Sequence, residues 1–405
     1  MSSASWHPPS TPASAKAAAA LFTASFGGDP TGVWSAPGRV NLIGEHVDYA
    51  GGVCLPYALP HRTWAAVRPR SDGLLRLVSG QLDEPWTGPV AEVRPGYPTG
   101  WAAYLAGTVW ALVDEGVLSP SSSGVDVAVH SDVPVGAGLS SSAALECSLG
   151  VALVDLYGGG AGLAGSASRS RLARAGVRAE NEIALASTGG MDQLAAVHSR
   201  AGHCLRLDCA SFETRQLPFV PGAHSLAMLV VNTNAPHRLV DSQYKDRRAA
   251  VDRAAELLGV PALGRVESVE VARAGLAAVG ADDPVLLRRV RHVITETARA
   301  SAAADLLEAG RVAELGPLLD ASHTSLRDDY DLSCPELESA VDGARAAGAL
   351  GARLVGGGFG GSAIALVPAG AVDAVVAEVR ATAARRGLTE PSFLLAEPSE
   401  AAGRG

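Results

Sequence analysis

A strand, a loop rich in glycine and serine, and a helix follow one another around Val133–Glu146, and this order constrains the fold more than any other feature of the chain. Val125–His130 alternates in the manner of a β-strand, and the apolar segment Ala143–Leu156 predicts a helix. Gly136 and Gly138 allow the connecting backbone to turn tightly and to approach a ligand without a Cβ in the way. The segment therefore predicts a strand–loop–helix unit whose loop can hold a bound group.

The three serines that end this loop, Ser140–Ser142, bring hydroxyl groups and free backbone amides to the first turn of the predicted helix. Unpaired amides and the helix dipole favour an anion at a helix N-terminus, above all a phosphate. Serines that only cap the helix remain the alternative for this stretch taken alone. A Walker-type P-loop is excluded, because it needs a lysine after its glycines and the lysines of this chain are Lys16 and Lys245.

The composition describes a folded protein of two or three domains. The chain has 405 residues, of which 47% are hydrophobic and 19% are charged. Its net charge of −9 argues against nucleic acid and anionic membranes as partners. Five scattered cysteines without a Cys-x-x-Cys pair predict neither a disulfide framework nor a zinc site. No apolar run of about 18 residues is available to span a membrane, so we predict a soluble, cytoplasmic protein. We also expect it to act as a monomer.

Both ends of the chain are predicted to be poorly ordered. Residues 1–15 are rich in serine and proline and lack the basic start and apolar centre of a signal peptide, which predicts a disordered tail. Residues 399–405 are predicted to fray. Between the tails, helices are predicted at Ala17–Phe26, Thr99–Glu115, Ser170–Ala186, Ser242–Leu258 and Pro284–Glu308, the last of these with a structural role, and further strands at Thr63–Arg68, Leu74–Ser79, His203–Asp208 and Ser225–Asn232.

A second informative stretch follows a strand-like segment, Val40–Ile43, that breaks at a glycine. The loop after it carries Glu45, His46 and Asp48, and Arg39 lies just before it. A polar surface turn is one explanation, and a His-x-Asp metal site is another. A sugar is the third, because carboxylates accept hydrogen bonds from vicinal hydroxyls and reject isomers that leave buried polar groups unpaired.

A third stretch places an aspartate closely after two glycines. Gly189 and Gly190 precede Asp192, and they would let this carboxylate project from a backbone turn as a catalytic group must. By spacing alone the better prediction is that Asp192 caps the next helix, Gln193–His198. Further along, Ala352–Val367 predicts a hairpin whose glycine loop packs closely against a ligand or another loop.

Taken together, these segments resemble the galactokinase family, a branch of the GHMP family of small-molecule kinases. Gly38–Tyr49 is similar to the family's sugar motif, Gly136–Ala143 to its ATP loop and Gly356–Gly361 to its third motif. Further similar stretches are Gly190–Gln193, Tyr244–Arg248 and Ser322–Tyr330. The resemblance runs from about Phe22 to about Val367 in the expected order, which is more specific than any single motif. Two positions depart from the pattern: Val47 replaces the usual threonine and Ser362 replaces a common cysteine.

The resemblance implies an ATP-dependent sugar kinase that phosphorylates the anomeric hydroxyl of D-galactose. Asp192 would be the general base or electrostatic orienter at that hydroxyl, and Arg39 would stabilise charge on the transferring phosphoryl group. Mg²⁺ would be held by Ser142 and Glu180. The implied sugar-binding residues are Glu45, His46, Val47, Asp48, Gly189, Gly190 and Tyr244. The implied ATP-binding residues are Ser79, Gly136, Ala137, Gly138, Leu139, Ser140, Ser141 and Ser142.

The fold implied by the resemblance is α+β, with two domains and the active site in the cleft between them. We expect an N-terminal domain over residues 16–200 and a C-terminal domain over residues 201–398. Two alternatives remain: a kinase of the same family acting on another sugar such as N-acetylgalactosamine, and a non-catalytic sensor that binds galactose and ATP. Retention of Ser140–Ser142, Arg39 and Asp192 disfavours the sensor. A structural protein with vestigial motifs would leave the cluster of Glu45 to Asp48 unexplained.

Overall fold

The structure is a computed structural model that describes residues 6–82, 84–119, 124–157, 165–235 and 240–405. Within these ranges the α-helices are α1 (Pro12–Phe26), α2 (Trp101–Asp114), α3 (Ser141–Tyr157), α4 (Ser166–Arg178), α5 (Met191–His198), α6 (Val240–Leu258), α7 (Val269–Ala278), α8 (Pro284–Glu308), α9 (Gly316–Asp328), α10 (Pro335–Ala346) and α11 (Val372–Arg385). None of these described helices is both long and apolar enough to cross a membrane.

The strands form three sheets. They are β1 (Gly32–Asn41), β2 (Val53–Cys54), β3 (Pro56–Arg70), β4 (Leu74–Ser79), β5 (Trp86–Pro89), β6 (Gly124–Ser131), β7 (His203–Asp208), β8 (Thr214–Pro218), β9 (Leu226–Asn232), β10 (Gly351–Val355), β11 (Ser362–Pro368), β12 (Ser392–Leu395) and β13 (Gly403–Arg404). The first sheet has the order β13-β1-β3-β6-β4-β5, the second β10-β11-β9-β12 and the third β2-β7-β8. In the first sheet β4 pairs parallel with β6, and the other neighbours are antiparallel.

The strand–loop–helix unit predicted around the serine-rich loop is confirmed. β6 ends at Ser131 and α3 begins at Ser141, and α3 packs against β1 and β3. Most of α3 is buried, including Ala143, Leu149 and Val151 at 0% exposure, because it lies inside the first half of the molecule rather than on its surface. This burial fixes the helix N-terminus, and therefore the loop before it, relative to the first sheet.

Two predicted elements differ from the structure in extent. The strand expected at Val40–Ile43 overlaps only the end of a longer one, β1, which stops at Asn41. β1 contains Pro37 and changes register between Pro37 and Arg39. A β-bulge accommodates the proline, which sequence rules count against a strand interior. The helix expected over Ser170–Ala186 is α-helical only to Arg178, and a π-helical turn follows at Ala179–Ile183.

The two tail predictions are corrected. Residues 1–5 lie outside the described residues. From Trp6 onward the chain is ordered, because Trp6 forms an isolated β-bridge with Phe393 and Thr11 forms a capping box at the start of α1. At the other end β13 pairs with β1, and the backbone amide of Ala402 donates to the Ala196 carbonyl over 2.7 Å. Backbone pairing with a sheet edge orders the C-terminal segment, and composition carries no signal of such pairing.

Candidate active site

A cavity of about 340 Å³ opens between the loops of the first sheet and the hairpin of the second. The structure brings most of the sequence-predicted residues together around it. Those that line the cavity are Arg39, Glu45, His46, Asp48, Gly136, Gly138, Leu139, Ser140, Ser141, Ser142, Glu180, Asp192 and Tyr244. They come from segments more than 200 residues apart, so only the folded chain assembles them.

Five predicted residues are not among those that line the cavity: Val47, Ser79, Ala137, Gly189 and Gly190. The Val47 side chain is fully buried in the hydrophobic core instead of facing a sugar. The Ser79 hydroxyl accepts a hydrogen bond from the backbone amide of Gln81 over 3.2 Å, at the end of β4. The Ala137 carbonyl accepts a hydrogen bond of 2.7 Å from the Ser362 hydroxyl, so it braces the loop from behind.

The glycines of the serine-rich loop are required by close backbone contact. Gly136 and Gly138 both have φ of +72°, and Ser140 adopts φ of +59° just before α3. A Cβ on Gly356 would lie 2.9 Å from the Gly138 carbonyl oxygen, so the two glycine loops pack backbone against backbone. The prediction that the hairpin loop packs closely against another loop is confirmed.

Asp192 and Arg39 form a two-bond ion pair at the centre of the cavity. Arg39 donates from Nε to Oδ1 over 2.8 Å and from Nη2 to Oδ2 over 2.9 Å, and its Nη1 donates to the Gly138 carbonyl over 2.7 Å. The Ser140 hydroxyl donates to the same carboxylate. Burial alone would lower the pKa of Arg39, but Asp192 and then Glu45 outweigh it and hold the pKa above its ordinary value. The guanidinium is therefore a permanent cation that also contacts the backbone of the serine-rich loop.

The prediction that Asp192 caps a helix is wrong. α5 begins at Met191 with Gly190, in the left-handed conformation, at its N-cap, and no side-chain capping bond is present there. The Asp192 carboxylate is bound instead by Arg39 and Ser140. Gly190, with φ of +98°, provides the backbone turn that directs this carboxylate into the cavity.

Asp48 faces the cavity as a second carboxylate close to Asp192. Burial, followed by the charge of Asp192, raises the pKa of Asp48 to about 6. A Cβ on Gly189 would lie 2.3 Å from Asp48 Oδ2, so only glycine at this position leaves room for the carboxylate. Gly189 therefore contributes to the site by its small size rather than by facing the cavity.

His46 presents an unpaired ring nitrogen within the site. Its Nδ1 lies 2.9 Å from the Tyr49 hydroxyl, which shares a 2.9 Å hydrogen bond with the Tyr330 hydroxyl. Its Nε2 is buried and has no hydrogen-bond partner in the described part of the chain. Burial lowers the pKa of His46 to about 3, so the ring is neutral at physiological pH. The Tyr244 and His46 rings pack with their centroids 5.2 Å apart, and both residues line the cavity.

Glu45 is held by a buried arginine from β10. Arg353 Nη2 donates to Glu45 Oε2 over 2.6 Å, and the two side chains are 0% and 3% exposed. The same guanidinium donates to the carbonyls of Leu42 and Asn41. Arg353 thus ties the loop of the sugar motif to the second sheet.

We expect Glu45→Ala to lower the free energy of unfolding by roughly 3–5 kcal/mol, because it leaves Arg353 buried without its counter-charge. Glu45→Gln keeps an acceptor for Arg353 and should cost less. Urea unfolding followed by circular dichroism measures both. Glu182→Ala, which removes the exposed partner of Arg178, is the control and should cost at most about 1 kcal/mol. An equally small loss in Glu45→Ala would contradict the structural weight given to this pair.

Ser142 and Glu180 bring two side-chain oxygen groups to the cavity beside the serine-rich loop. The Ser142 hydroxyl lies 3.2 Å from Glu180 Oε1, and Gln193 Nε2 donates to Glu180 Oε2 over 2.7 Å. Burial, followed by the charge of Asp192, raises the pKa of Glu180 to about 7. Among the described residues no group of three His, Cys, Asp or Glu side chains is placed to hold a metal ion.

Sequence reasoning missed several residues of the site and its supports. Ser187 and Thr188 line the cavity beside Asp192 but lie outside the stretches that the sequence singled out. Met191 also lines it, and although it lies within the stretch Gly190–Gln193, it was not predicted as a site residue. Arg353 carried one, because an arginine inside an otherwise apolar strand has to find a buried partner.

The comparisons with known proteins agree with this geometry. A family model described as "Galactokinase galactose-binding signature" matches residues 20–69, "GHMP kinases N terminal domain" matches residues 103–200, and "GHMP kinases C terminal" matches residues 303–385. A galactokinase from Streptomyces coelicolor is 47% identical over 384 residues, covering 95% of this chain and 96% of its own length. A galactokinase from Mycobacterium tuberculosis is 41% identical over 365 residues, covering 89% and 95%.

Solved structures show the same architecture. The structure of Lactococcus lactis galactokinase complexed with galactose superimposes with a TM-score of 0.87 at 31% identity, covering 96% of this chain and 98% of that one. The L. major mevalonate kinase in complex with R-mevalonate superimposes with a TM-score of 0.60 at 21% identity, covering 92% and 97%, and shows the shared fold alone. The predicted α+β fold of the GHMP kinases is confirmed.

Proposed function

The chain belongs to the galactokinase family of ATP-dependent sugar kinases, and we propose that it transfers the γ-phosphoryl group of ATP to the anomeric hydroxyl of D-galactose. The products are α-D-galactose 1-phosphate and ADP. The observation that carries the proposal is the Arg39–Asp192 pair, which faces the cavity between the serine-rich loop and the sugar motif. Phosphoryl transfer needs aligned reactants and neutralised charge more than covalent help from the protein, and this pair supplies both.

Asp192 acts on the anomeric hydroxyl, either accepting its proton or orienting it. The two bonds from Arg39 hold the carboxylate in one position, and the guanidinium stabilises negative charge that develops on the transferring phosphoryl group. Because Arg39 also donates to the Gly138 carbonyl, it links the acceptor side of the site to the phosphate loop. The contact supports a geometry in which acceptor and donor are aligned by one side chain.

The sugar hydroxyls bind to Glu45, His46, Asp48 and Tyr244. Two carboxylates accept hydrogen bonds from hydroxyls, and the polar ring of His46 lines the cavity beside them. A neutral ring and two carboxylates suit an uncharged polyol. This donor and acceptor set supports a sugar rather than an anionic acceptor such as mevalonate.

Mg²⁺ fits the oxygen pair of Ser142 and Glu180. Magnesium prefers oxygen ligands and keeps several waters and substrate phosphates, so two protein oxygens suffice. The side-chain amide of Gln193 orients the Glu180 carboxylate by binding its second oxygen. When bound with ATP, the ion would neutralise charge on the phosphates.

We expect galactose recognition to weaken as the pH falls below about 6. The pKa of Asp48 is raised to about 6, so the carboxylate that accepts a sugar hydroxyl becomes protonated below that pH. The value of kcat/KM for galactose should then fall about tenfold per pH unit. Asp48→Asn should lower kcat/KM at neutral pH and flatten this acidic limb. ATP is kept saturating at each pH, because Glu180 titrates near 7 on the nucleotide side.

The selectivity experiment is coupled ADP release with ATP, Mg²⁺ and a panel of galactose, glucose, N-acetylgalactosamine and mevalonate. Galactose is expected to give the highest kcat/KM. A higher kcat/KM for N-acetylgalactosamine would identify that amino sugar, and not galactose, as the preferred substrate. Turnover of mevalonate alone would overturn the assignment of the polar cluster to a sugar.

A further inference from the structure

A buried carboxylate from the second half of the chain holds the backbone of the sugar-motif loop. Glu296 lies on α8 and is 0% exposed. Its Oε1 accepts from the backbone amides of Gly44 and Glu45, over 3.0 and 3.3 Å, and from the Ser322 hydroxyl over 2.7 Å. His292, four residues earlier on the same face of α8, lies with Nε2 3.0 Å from the Glu45 carbonyl. Glu296 and His292 therefore both bind the backbone of the loop at Gly44 and Glu45.

The loop needs this support because its conformation is unusual. Gly44 has φ of +93°, and His46 has φ of +58°, which is uncommon for a residue with a side chain. A Cβ on Gly44 would lie 2.3 Å from the Val53 carbonyl oxygen, so the turn is also crowded. Such a segment keeps its conformation only when its surroundings determine it.

The Glu296 carboxylate is equipped to stay ionised in the core. Arg299 Nε donates to its Oε2 over 2.7 Å, so both oxygens are satisfied. Burial alone would raise the pKa of Glu296, but Arg299, followed by His292 and Arg353, brings it down to about 2. The two amide bonds from the loop are therefore charge-assisted, which makes them stronger than bonds to a neutral acceptor.

We propose that Glu296 is a positioning residue for galactose. By fixing the amides of Gly44 and Glu45, it sets the positions of the Glu45 carboxylate and the His46 ring that face the sugar. The inference rests on the proposed function, because it concerns the same sugar site. It assigns a role in substrate recognition to α8, a helix that does not line the cavity.

The test compares Glu296→Gln with wild type in steady-state kinetics. Glutamine keeps the shape and one oxygen but loses the charge, so the KM for galactose should rise about tenfold. The kcat and the KM for ATP should stay within about twofold, because the hydrogen-bond and ion-pair partners of Glu296 among the described residues include neither Asp192 nor the serine-rich loop. Asp126→Asn is the matched control: Asp126 is an equally buried carboxylate, paired with Arg68, Arg70 and Arg76 away from the cavity. It should leave the KM for galactose unchanged.

An unchanged KM for galactose in Glu296→Gln, or an equal rise in the KM values for galactose and ATP, would overturn the inference. If Glu296→Gln does not fold, Glu296→Asp takes its place, since the shorter side chain keeps its charge but withdraws from the loop amides. The same selective rise is then expected, and an unchanged KM counts against the proposal. Wild-type protein that shows no galactose-dependent ADP release would instead overturn the proposed function itself.

Discussion

Asp192→Asn is expected to lower kcat by about 10²–10⁴-fold, the range typical of a lost general base. Asparagine cannot accept a proton, and its amide group would face the Arg39 donors that now bind a carboxylate oxygen. The variant should still bind galactose and a non-hydrolysable ATP analogue with nearly wild-type affinity. Steady-state kinetics and calorimetry on the same preparation measure the two effects separately.

Asp114→Asn is the matched control for this variant. It makes the same aspartate-to-asparagine change at an exposed carboxylate. Asp114 lies at the end of α2 and pairs with Arg178. Its kcat should equal that of wild type. A kcat within threefold of wild type in Asp192→Asn would exclude a catalytic role for Asp192. Loss of both ligands in calorimetry would indicate a misfolded site instead.

Arg39→Lys is expected to lower kcat by about 10²–10³-fold. This is the typical loss when one preorganised hydrogen-bond donor to a transition state is removed. Arginine makes three bonds here, two to Asp192 and one to the Gly138 carbonyl, and a lysine ammonium cannot reproduce this fork. The KM values should change much less, because the lost interactions act mainly as charge develops. Steady-state kinetics with each substrate varied in turn gives the split between kcat and KM.

Arg62→Lys is the control, because it replaces another arginine that makes several hydrogen bonds. Arg62 donates to Ser35 and to the carbonyls of Glu400 and Ala401, outside the cavity. Its replacement should lower stability without lowering kcat. If Arg39→Lys keeps kcat within a few fold of wild type, positive charge alone suffices, and the aligned fork has no catalytic role.

The parts of the site that could be predicted from the sequence are those with local signals. The two glycines and three serines of the serine-rich loop lie within seven residues, and their spacing predicts a tight turn at a helix N-terminus. The loop of Glu45, His46 and Asp48 is equally local. The local structure of such segments can be predicted from the segment alone, because neighbouring residues determine the turn and the start of the helix.

The role of Asp192 could not be predicted from its surroundings. Spacing favoured a helix cap, whereas its partner Arg39 lies 153 positions away in the chain. Resemblance to a family supplied what local chemistry could not. Val47 shows the converse: it lies inside the sugar motif, yet its side chain points into the core.

Long-range supports were harder still to predict. The pattern of α8 suggested a structural helix, and the functional weight of Glu296 depends on a contact with Gly44, 252 positions away. The C-terminal segment was expected to fray as chain ends commonly do, whereas it pairs with the edge of the first sheet. Both outcomes follow from tertiary contacts that neither periodicity nor composition encodes.

The most direct test of the account is coupled ADP release by wild type and Asp192→Asn, measured beside calorimetric binding of galactose to each. The account predicts galactose-dependent ADP release by wild type that is lost in Asp192→Asn, while both proteins bind galactose. Galactose binding by wild type without ADP release would contradict it and indicate a sugar-binding sensor in place of a kinase.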